Sequence, residues 1–317
     1  MTDAISLSFH TITMKTNHTE LVTFPEKDIE GFFLELVGAL SIPICFWGLV
    51  ANATIFWLLY SKVKKTIFIG YFLNLIIADF IISAYFLIVF CTHLTSIFVS
   101  FYFSRLMESI HSVSSNASIF LLTVICFERY IMDFSPLYYQ QHRPTNFTAN
   151  ICCIIWFWSS LVNLILYVAC YKRLLSITVQ ITSLCNGAMM FEYIIQIMIF
   201  VPIMFFSILF LFIRRQKKAK QRTIPGLDII LAVMVVLSFI CIFTFRTLIY
   251  LSNWVEALQE PYINYLSLLF GCIKSSISPL VYFYTGSQQR ENAAQPMYML
   301  LDRALDDKEN PDTPDSC

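Results

Sequence analysis

Arg105, Glu108, His111, Ser112 and Ser115 recur at spacings of three and four within a largely apolar stretch. That spacing puts them on one helix face. The row joins a guanidinium, a carboxylate and an imidazole, groups that bind an ionised ligand or move a proton. Arg246, Asp79 and Lys274 are further ionisable residues inside apolar runs, and Lys274 shares a face with Ser278 four residues on. Glu128-Arg129-Tyr130 closes another run. No phosphate-binding loop, histidine-rich metal spacing or nucleophile elbow accompanies them. We therefore expect no enzymatic activity, no cofactor and no metal. In apolar surroundings ionisable groups are costly and mark binding paths. Arg105, Glu108, His111 and Arg246 are read as the ligand-contacting set. An internal Glu108–Arg246 pair without a ligand role stands beside that reading, because buried ion pairs can be purely structural.

The elements that carry these residues follow from composition. Of 317 residues, 57% are apolar and 13% charged, against about 25% charged in soluble domains. The 21 basic and 21 acidic residues cancel, which argues against a nucleic-acid partner. A helix crosses a bilayer with about 20 apolar residues. Seven stretches qualify, at 33–60, 67–92, 98–132, 147–170, 188–213, 227–251 and 262–284. The expected fold is all-α, a seven-transmembrane helix bundle in the lipid bilayer. Met297 to Leu305 adds a short amphipathic surface helix. This divides the chain into a tail (1–32), a bundle (33–285), a surface-helix segment (286–305) and a disordered acidic tail (306–317).

Orientation follows from the loops. Lys62, Lys64, Lys65, Arg143, Arg214, Arg215, Lys217, Lys218, Lys220 and Arg222 fall on one side, and only Lys172 and Arg173 on the other. The richer side is expected in the cytoplasm. The N-terminus is then extracellular, where Asn17-His18-Thr19 is a glycosylation acceptor, and the surface helix is cytoplasmic. The first thirty residues hold no signal-peptide core. Of the ten cysteines, Cys45, Cys126, Cys152, Cys153, Cys241 and Cys272 lie in apolar runs and read as packing residues. Cys91, Cys170 and Cys185 lie near loop boundaries and are disulfide candidates.

Six markers now fall in order on six helices: Asn52; Leu75-Ile76-Ile77-Ala78-Asp79; Glu128-Arg129-Tyr130; Trp156; Pro202; and Ser278-Pro279-Leu280-Val281-Tyr282. In this order they resemble the rhodopsin-like (class A) G-protein-coupled receptors. The runs Pro136-Leu137-Tyr138-Tyr139, His142-Arg143-Pro144, Ser275-Ser276 and Gly286-Ser287, with Leu301 and Arg303-Ala304, are similar to the Mas-related receptor family. The resemblance implies a plasma-membrane receptor with two partners, an extracellular ligand and a heterotrimeric G protein. Glu128, Arg129, Tyr130 and Tyr282 would serve coupling, with Glu128 holding the Arg129 guanidinium at rest. It also implies a Cys170–Cys185 disulfide, since Ser104 stands where other rhodopsin-like receptors carry a cysteine. His111 stands where monoamine receptors carry an aspartate, which points to a peptide or another non-amine ligand.

The chain departs from the pattern in two places. The sixth helix reads Cys241-Ile242-Phe243-Thr244 in place of Cys-Trp-x-Pro. Without the proline its hydrogen-bond ladder is expected to be intact and the helix straighter. The second departure concerns the internal polar pocket of Asn52, Asp79, Ser118, Lys274 and Ser278. Rhodopsin-like receptors hold a sodium ion between the second-helix aspartate and a seventh-helix asparagine. Here the Lys274 ammonium is read as replacing that ion and pairing with Asp79, with Ser278 facing the same way. The alternative has Lys274 turned to a water-filled cavity and Asp79 protonated. An opsin is disfavoured, because its retinal lysine lies seven residues before the proline and Lys274 lies five before Pro279. Two other readings compete: a transporter, in which the charges line a substrate path, and a receptor-like protein without ligand-driven signalling.

Overall fold

The computed structural model describes residues 26–63, 66–95, 100–144, 146–170, 183–218, 226–252, 261–288 and 297–305. Asn17, Lys64, Lys65, Lys172, Arg173, Lys220, Arg222 and the tail 306–317 lie outside them. Seven helices are long and apolar enough to cross a membrane, and no strand occurs among the described residues. With no water in hydrocarbon to satisfy the backbone, a helix that bonds its own amides is the natural spanning element.

The first spanning helix is Glu26–Ser61, the second Ile67–Thr95, the third Phe101–Phe134 and the fourth Phe147–Ala169. The fifth runs through Ser183–Ile195, a π-helical turn at Gln196–Phe200, and Val201–Lys218. The sixth runs through Gly226–Ser238, a second π turn at Phe239–Phe243, and Thr244–Ser252. The seventh is Pro261–Gln288. A loop helix, Pro136–His142, follows the third span with proline at its start, the position where a missing amide costs no helical hydrogen bond. The surface helix is Met297–Leu305. The first helix starts well before its apolar window at Glu35, because helical hydrogen bonding continues beyond the part that lipid requires.

The third helix is the hub. It packs against the second, fourth, fifth and sixth spans and the loop helix, and from Ser114 to Thr123 every residue is buried. The seventh helix packs against the first, second and sixth spans and the surface helix. The main core joins Phe72, Leu75, Ile119, Leu122 and Tyr282, and Leu301 and Leu305 of the surface helix are buried in it. Val37, Ile82, Phe86, Phe90 and Leu268 form a smaller second core.

Prolines inside helices shape the ladder. Pro279 cannot donate to the Ser275 carbonyl four residues back. Asn52 Nδ2 takes that donor's place at 3.0 Å and also reaches the Gly48 carbonyl at 2.9 Å. Before Pro202 the fifth helix widens, and the Val201 amide bonds the Gln196 carbonyl. The sixth helix does the same without a proline. The Thr244 amide bonds the Phe239 carbonyl, and the Thr244 hydroxyl reaches the same oxygen at 3.0 Å. The expectation of an unbroken sixth helix is therefore corrected. A threonine inserted into the ladder opens a π turn where the proline would stand, and such turns distort helices as prolines do.

Gly48 permits the closest approach of the first and seventh helices. A Cβ there would lie 2.2 Å from Ser276 Oγ and 3.0 Å from the Ser276 Cα. Gly48→Val is expected to cost at least about 1–3 kcal/mol through overpacking, read as a lower thermal midpoint of the purified protein. An unchanged midpoint would contradict this packing.

Candidate functional site

Polar side chains line the bundle in three tiers, each anchored on the third helix. In the middle tier Lys274 Nζ donates to Asp79 Oδ1 at 2.7 Å and to Ser118 Oγ at 2.8 Å. Lys274 and Asp79 are 2% and 0% exposed, so each removes the other's desolvation problem. Ser278 does not join them. Its hydroxyl donates to the Lys274 carbonyl at 3.0 Å, the ordinary bond of a helical serine to the preceding turn. Asn52 is spent on the Ser275 and Gly48 carbonyls rather than on Asp79. Ser83 Oγ bridges the Asp79 carbonyl and Ser275 Oγ, and Ser276 Oγ bonds the Ile44 carbonyl. The second and seventh helices are thus joined by an ion pair and a hydroxyl chain.

Toward the Arg129 end, the third helix presents two adjacent charges that turn to different partners. Arg129 Nε donates to Asp228 Oδ1 at 2.8 Å, and both residues are buried. Glu128 Oε1 accepts from Arg143 Nε at 2.8 Å and from the Tyr139 hydroxyl. The expectation that Glu128 holds Arg129 is corrected. Consecutive helical residues point about 100° apart, so the pair cannot meet easily, whereas Asp228 in the first turn of the sixth helix faces Arg129 directly. Asp228 was missed because it sits 99 residues away at the edge of an apolar run. Burial, with the Glu128 carboxylate beside it, pushes the Tyr139 phenol above its ordinary range, so it stays a donor. Tyr130 stacks on Phe134 and meets Phe210 edge-on. Tyr282 is buried against Phe72.

At the opposite end two of the four candidates, Arg105 and Glu108, pair, while His111 and Arg246 go to other partners. Arg105 Nη1 pairs with Glu108 Oε2 at 2.8 Å, one turn along the same helix. The alternative Glu108–Arg246 pair is therefore corrected, because Arg105 is the nearer cation. His111 stacks on Tyr85 with centroids 4.3 Å apart and meets Phe86 edge-on. Arg246 lies deeper, between the third, fifth and sixth helices. Its Nη1 donates to Gln196 Oε1 at 2.7 Å and Asn116 Oδ1 at 3.3 Å, and Nη2 donates to Ser115 Oγ at 2.9 Å. Asn116 Nδ2 and Gln196 Nε2 in turn donate to Glu192 Oε1 at 2.8 and 3.3 Å. Asn116, Gln196 and Glu192 were not singled out in the sequence. Neutral amides carry weak signals, and Gln196 owes its direction to the π turn it begins.

Two pairs of cysteines come together. Cys170, at the end of the fourth helix, joins Cys185 of the fifth with Cα atoms 4.8 Å apart. The Cys45 and Cys272 sulfurs also lie 2.09 Å apart, between the first and seventh helices. This corrects their reading as packing residues. Facing positions of two helices are invisible at a sequence separation of 227. Among the described residues Cys91, Cys126, Cys152, Cys153 and Cys241 are free.

The family model for the 7 transmembrane receptor (rhodopsin family) matches residues 51–282. The chain belongs to that family. The receptor resembles the Mas and Mas-related receptors. It is 27% identical to the human Proto-oncogene Mas over 288 residues, 86% of each chain. It is 26% identical to rat Mas-related G-protein coupled receptor member D over 313 residues, 94% of this chain and 95% of that one. It is 25% identical to human Mas-related G-protein coupled receptor member X1 over 266 residues, 82% and 80% of the two chains. The receptor is a multi-pass membrane protein of this signalling class.

The Lys274–Asp79 pair yields a testable consequence. Asp79→Asn or Lys274→Asn alone leaves a buried charge without its partner and is expected to cost about 3–5 kcal/mol. The double change should recover much of that loss. Thermal unfolding of the purified receptor reads both, and additive losses would count against the pair. With the aspartate occupied by a tethered ammonium, the midpoint should be the same in sodium chloride as in choline chloride.

Proposed function

We propose that this receptor passes an extracellular signal, from a peptide or another non-amine ligand, to a heterotrimeric G protein. The observation that carries the reading is the buried Arg129–Asp228 pair, which ties the third helix to the sixth at one end of the bundle. That end also carries Lys62, Arg143 and the last turn of the fifth helix, which ends at Lys218. A charge bias of this size favours the cytoplasm. The N-terminus is then extracellular with Asn17 open to glycosylation, and the receptor resides in the plasma membrane. Residues 1–32 form the outer tail, 33–285 the bundle, and 286–305 and 306–317 the cytoplasmic surface-helix segment and tail.

At rest the Arg129 guanidinium is committed to Asp228. Separation of the third and sixth helices breaks that pair and opens the cytoplasmic mouth, where Arg129 meets the carboxyl-terminal helix of the G protein. Glu128 is turned instead to Arg143 and Tyr139, which both meet its Oε1. Tyr130 and Tyr282 flank the opening. In the low dielectric of the mouth a charge released from one partner has a strong incentive to find another.

Two variants separate this reading from a structural one. Arg129→Ala should abolish nucleotide exchange on the G protein at matched surface expression. Asp228→Asn keeps the shape but removes the counter-charge, and should raise ligand-independent exchange several-fold. A merely structural pair would make both variants fail in the same direction. An exchange signal that neither variant moves would leave coupling through Arg129 without support.

A further inference from the structure

We infer that Arg246 is the recognition group for a carboxylate on the ligand, a refinement that rests on the receptor reading above. A guanidinium inside a membrane bundle ordinarily finds a carboxylate partner. Arg246 does not. Its three acceptors, Gln196 Oε1, Asn116 Oδ1 and Ser115 Oγ, are all neutral. Arg105, Arg129, Arg143 and Lys274, by contrast, each have a carboxylate at 2.7–2.8 Å. Glu192 is held one step away. Its Oε1 is occupied by the Asn116 and Gln196 amides, so it acts on the guanidinium through space and not by direct contact. The amide layer therefore orients Arg246 without neutralising it. The Nε–H and one Nη2–H meet no acceptor among the described residues, and Arg246 is only partly buried. Two donors on one edge of a guanidinium match the two oxygens of a carboxylate.

A second observation converges on the same place. Both π turns among the described residues flank this cluster. One begins at Gln196, and the other ends at Phe243, three residues before Arg246. Each π turn takes an extra residue, which rotates the helix beyond it by about 100° relative to an unbroken one. The distortions aim Gln196 and Arg246 toward Asn116 and Ser115 of the third helix. Tyr193 Oη donates to Thr247 Oγ1 at 2.9 Å and fixes the two distorted helices beside the cluster.

The carboxylate can come from a peptide's C-terminus or from a free organic acid, and the test distinguishes the two. The probes are N-acetylated amino acids, the same compounds as C-terminal amides, and butyrate. The readout is the thermal midpoint of the full-length purified receptor in lipid nanodiscs. The N-acetylated acids should stabilise it and the amides should not. Stabilisation by butyrate as well would assign the site to carboxylates in general, whereas its failure beside an active acetylated acid would assign it to a peptide end. Arg246→Gln should weaken the acid's effect at least about tenfold. Glu192→Gln preserves side-chain shape and removes the competing negative charge, and should strengthen it. No stabilisation by any carboxylate, equal stabilisation by acid and amide, or an undiminished effect in Arg246→Gln would overturn the assignment. The Arg129→Ala and Asp228→Asn comparison is read without any ligand. A failure here thus leaves coupling untouched, and a failure there leaves this site untouched.

Discussion

A charge placed inside a lipid-embedded bundle must be neutralised by the bundle itself, since neither water nor counter-ions reach it cheaply. The paired charges of this receptor follow from that constraint. Lys274 and Asp79 join the seventh helix to the second, with Ser118 of the third completing the contact. Arg129 and Asp228 join the third to the sixth. Arg143 reaches from the loop back to Glu128. The helix that appears in most of these contacts is the third, and it is also the most enclosed. Apolar packing alone does little to choose among rotations of a helix in lipid, because tails are as apolar as leucine. Each ion pair does choose, because a helix turned by one residue would leave two charges bare.

The pairs differ in what can release them. Lys274 and Asp79 are sealed in the middle of the bundle and flanked by the Ser83–Ser275 chain and the Asn52 bond to the carbonyl that Pro279 frees. In the proposed cycle they act as a fixed hinge. Arg129 and Asp228 sit at one end of the bundle, and in the proposed cycle separation of their two helices exposes both to a new partner. The first pair sets which helices stay together, and the second sets which can part. One bundle can therefore be rigid along the first, second and seventh helices and bistable between the third and sixth.

Much of this was legible in the sequence. The seven spans stood out because a soluble domain rarely strings together apolar runs of bilayer length. Lys274 and Asp79 could be matched because each alone would be prohibitive at that depth. What stayed hidden has a common cause. Asp228 lies in the first turn of the sixth helix, where an acidic residue also suits the helix dipole, so its long-range partner left no mark. Glu128 and Arg129 are neighbours in sequence and were read as neighbours in space, although a helix points them apart. Asn116, Gln196 and Glu192 form a site only after the fifth helix has been re-registered by its π turn, which no hydrophobic period records. Ser278 satisfies the face rule but spends its hydroxyl on its own helix.

The sixth helix makes the same point for mechanism. Its lack of a proline suggested a straighter helix with an intact ladder, yet Thr244 produces the distortion by a different route. A π turn is held open by hydrogen bonds, here both the amide and hydroxyl of Thr244 on one carbonyl, whereas a proline's break is covalent and permanent. A distortion held by hydrogen bonds can migrate or close when the forces on the helix change. Asp228 lies on one side of the turn and Arg246 on the other, so a charge placed against Arg246 and the loss of the Arg129–Asp228 pair act on the two arms of the same helix. In the proposed cycle the threonine turn is the joint between them. The joint and both charges belong to one continuous element, so coupling between the two mouths requires no relay through the surrounding core.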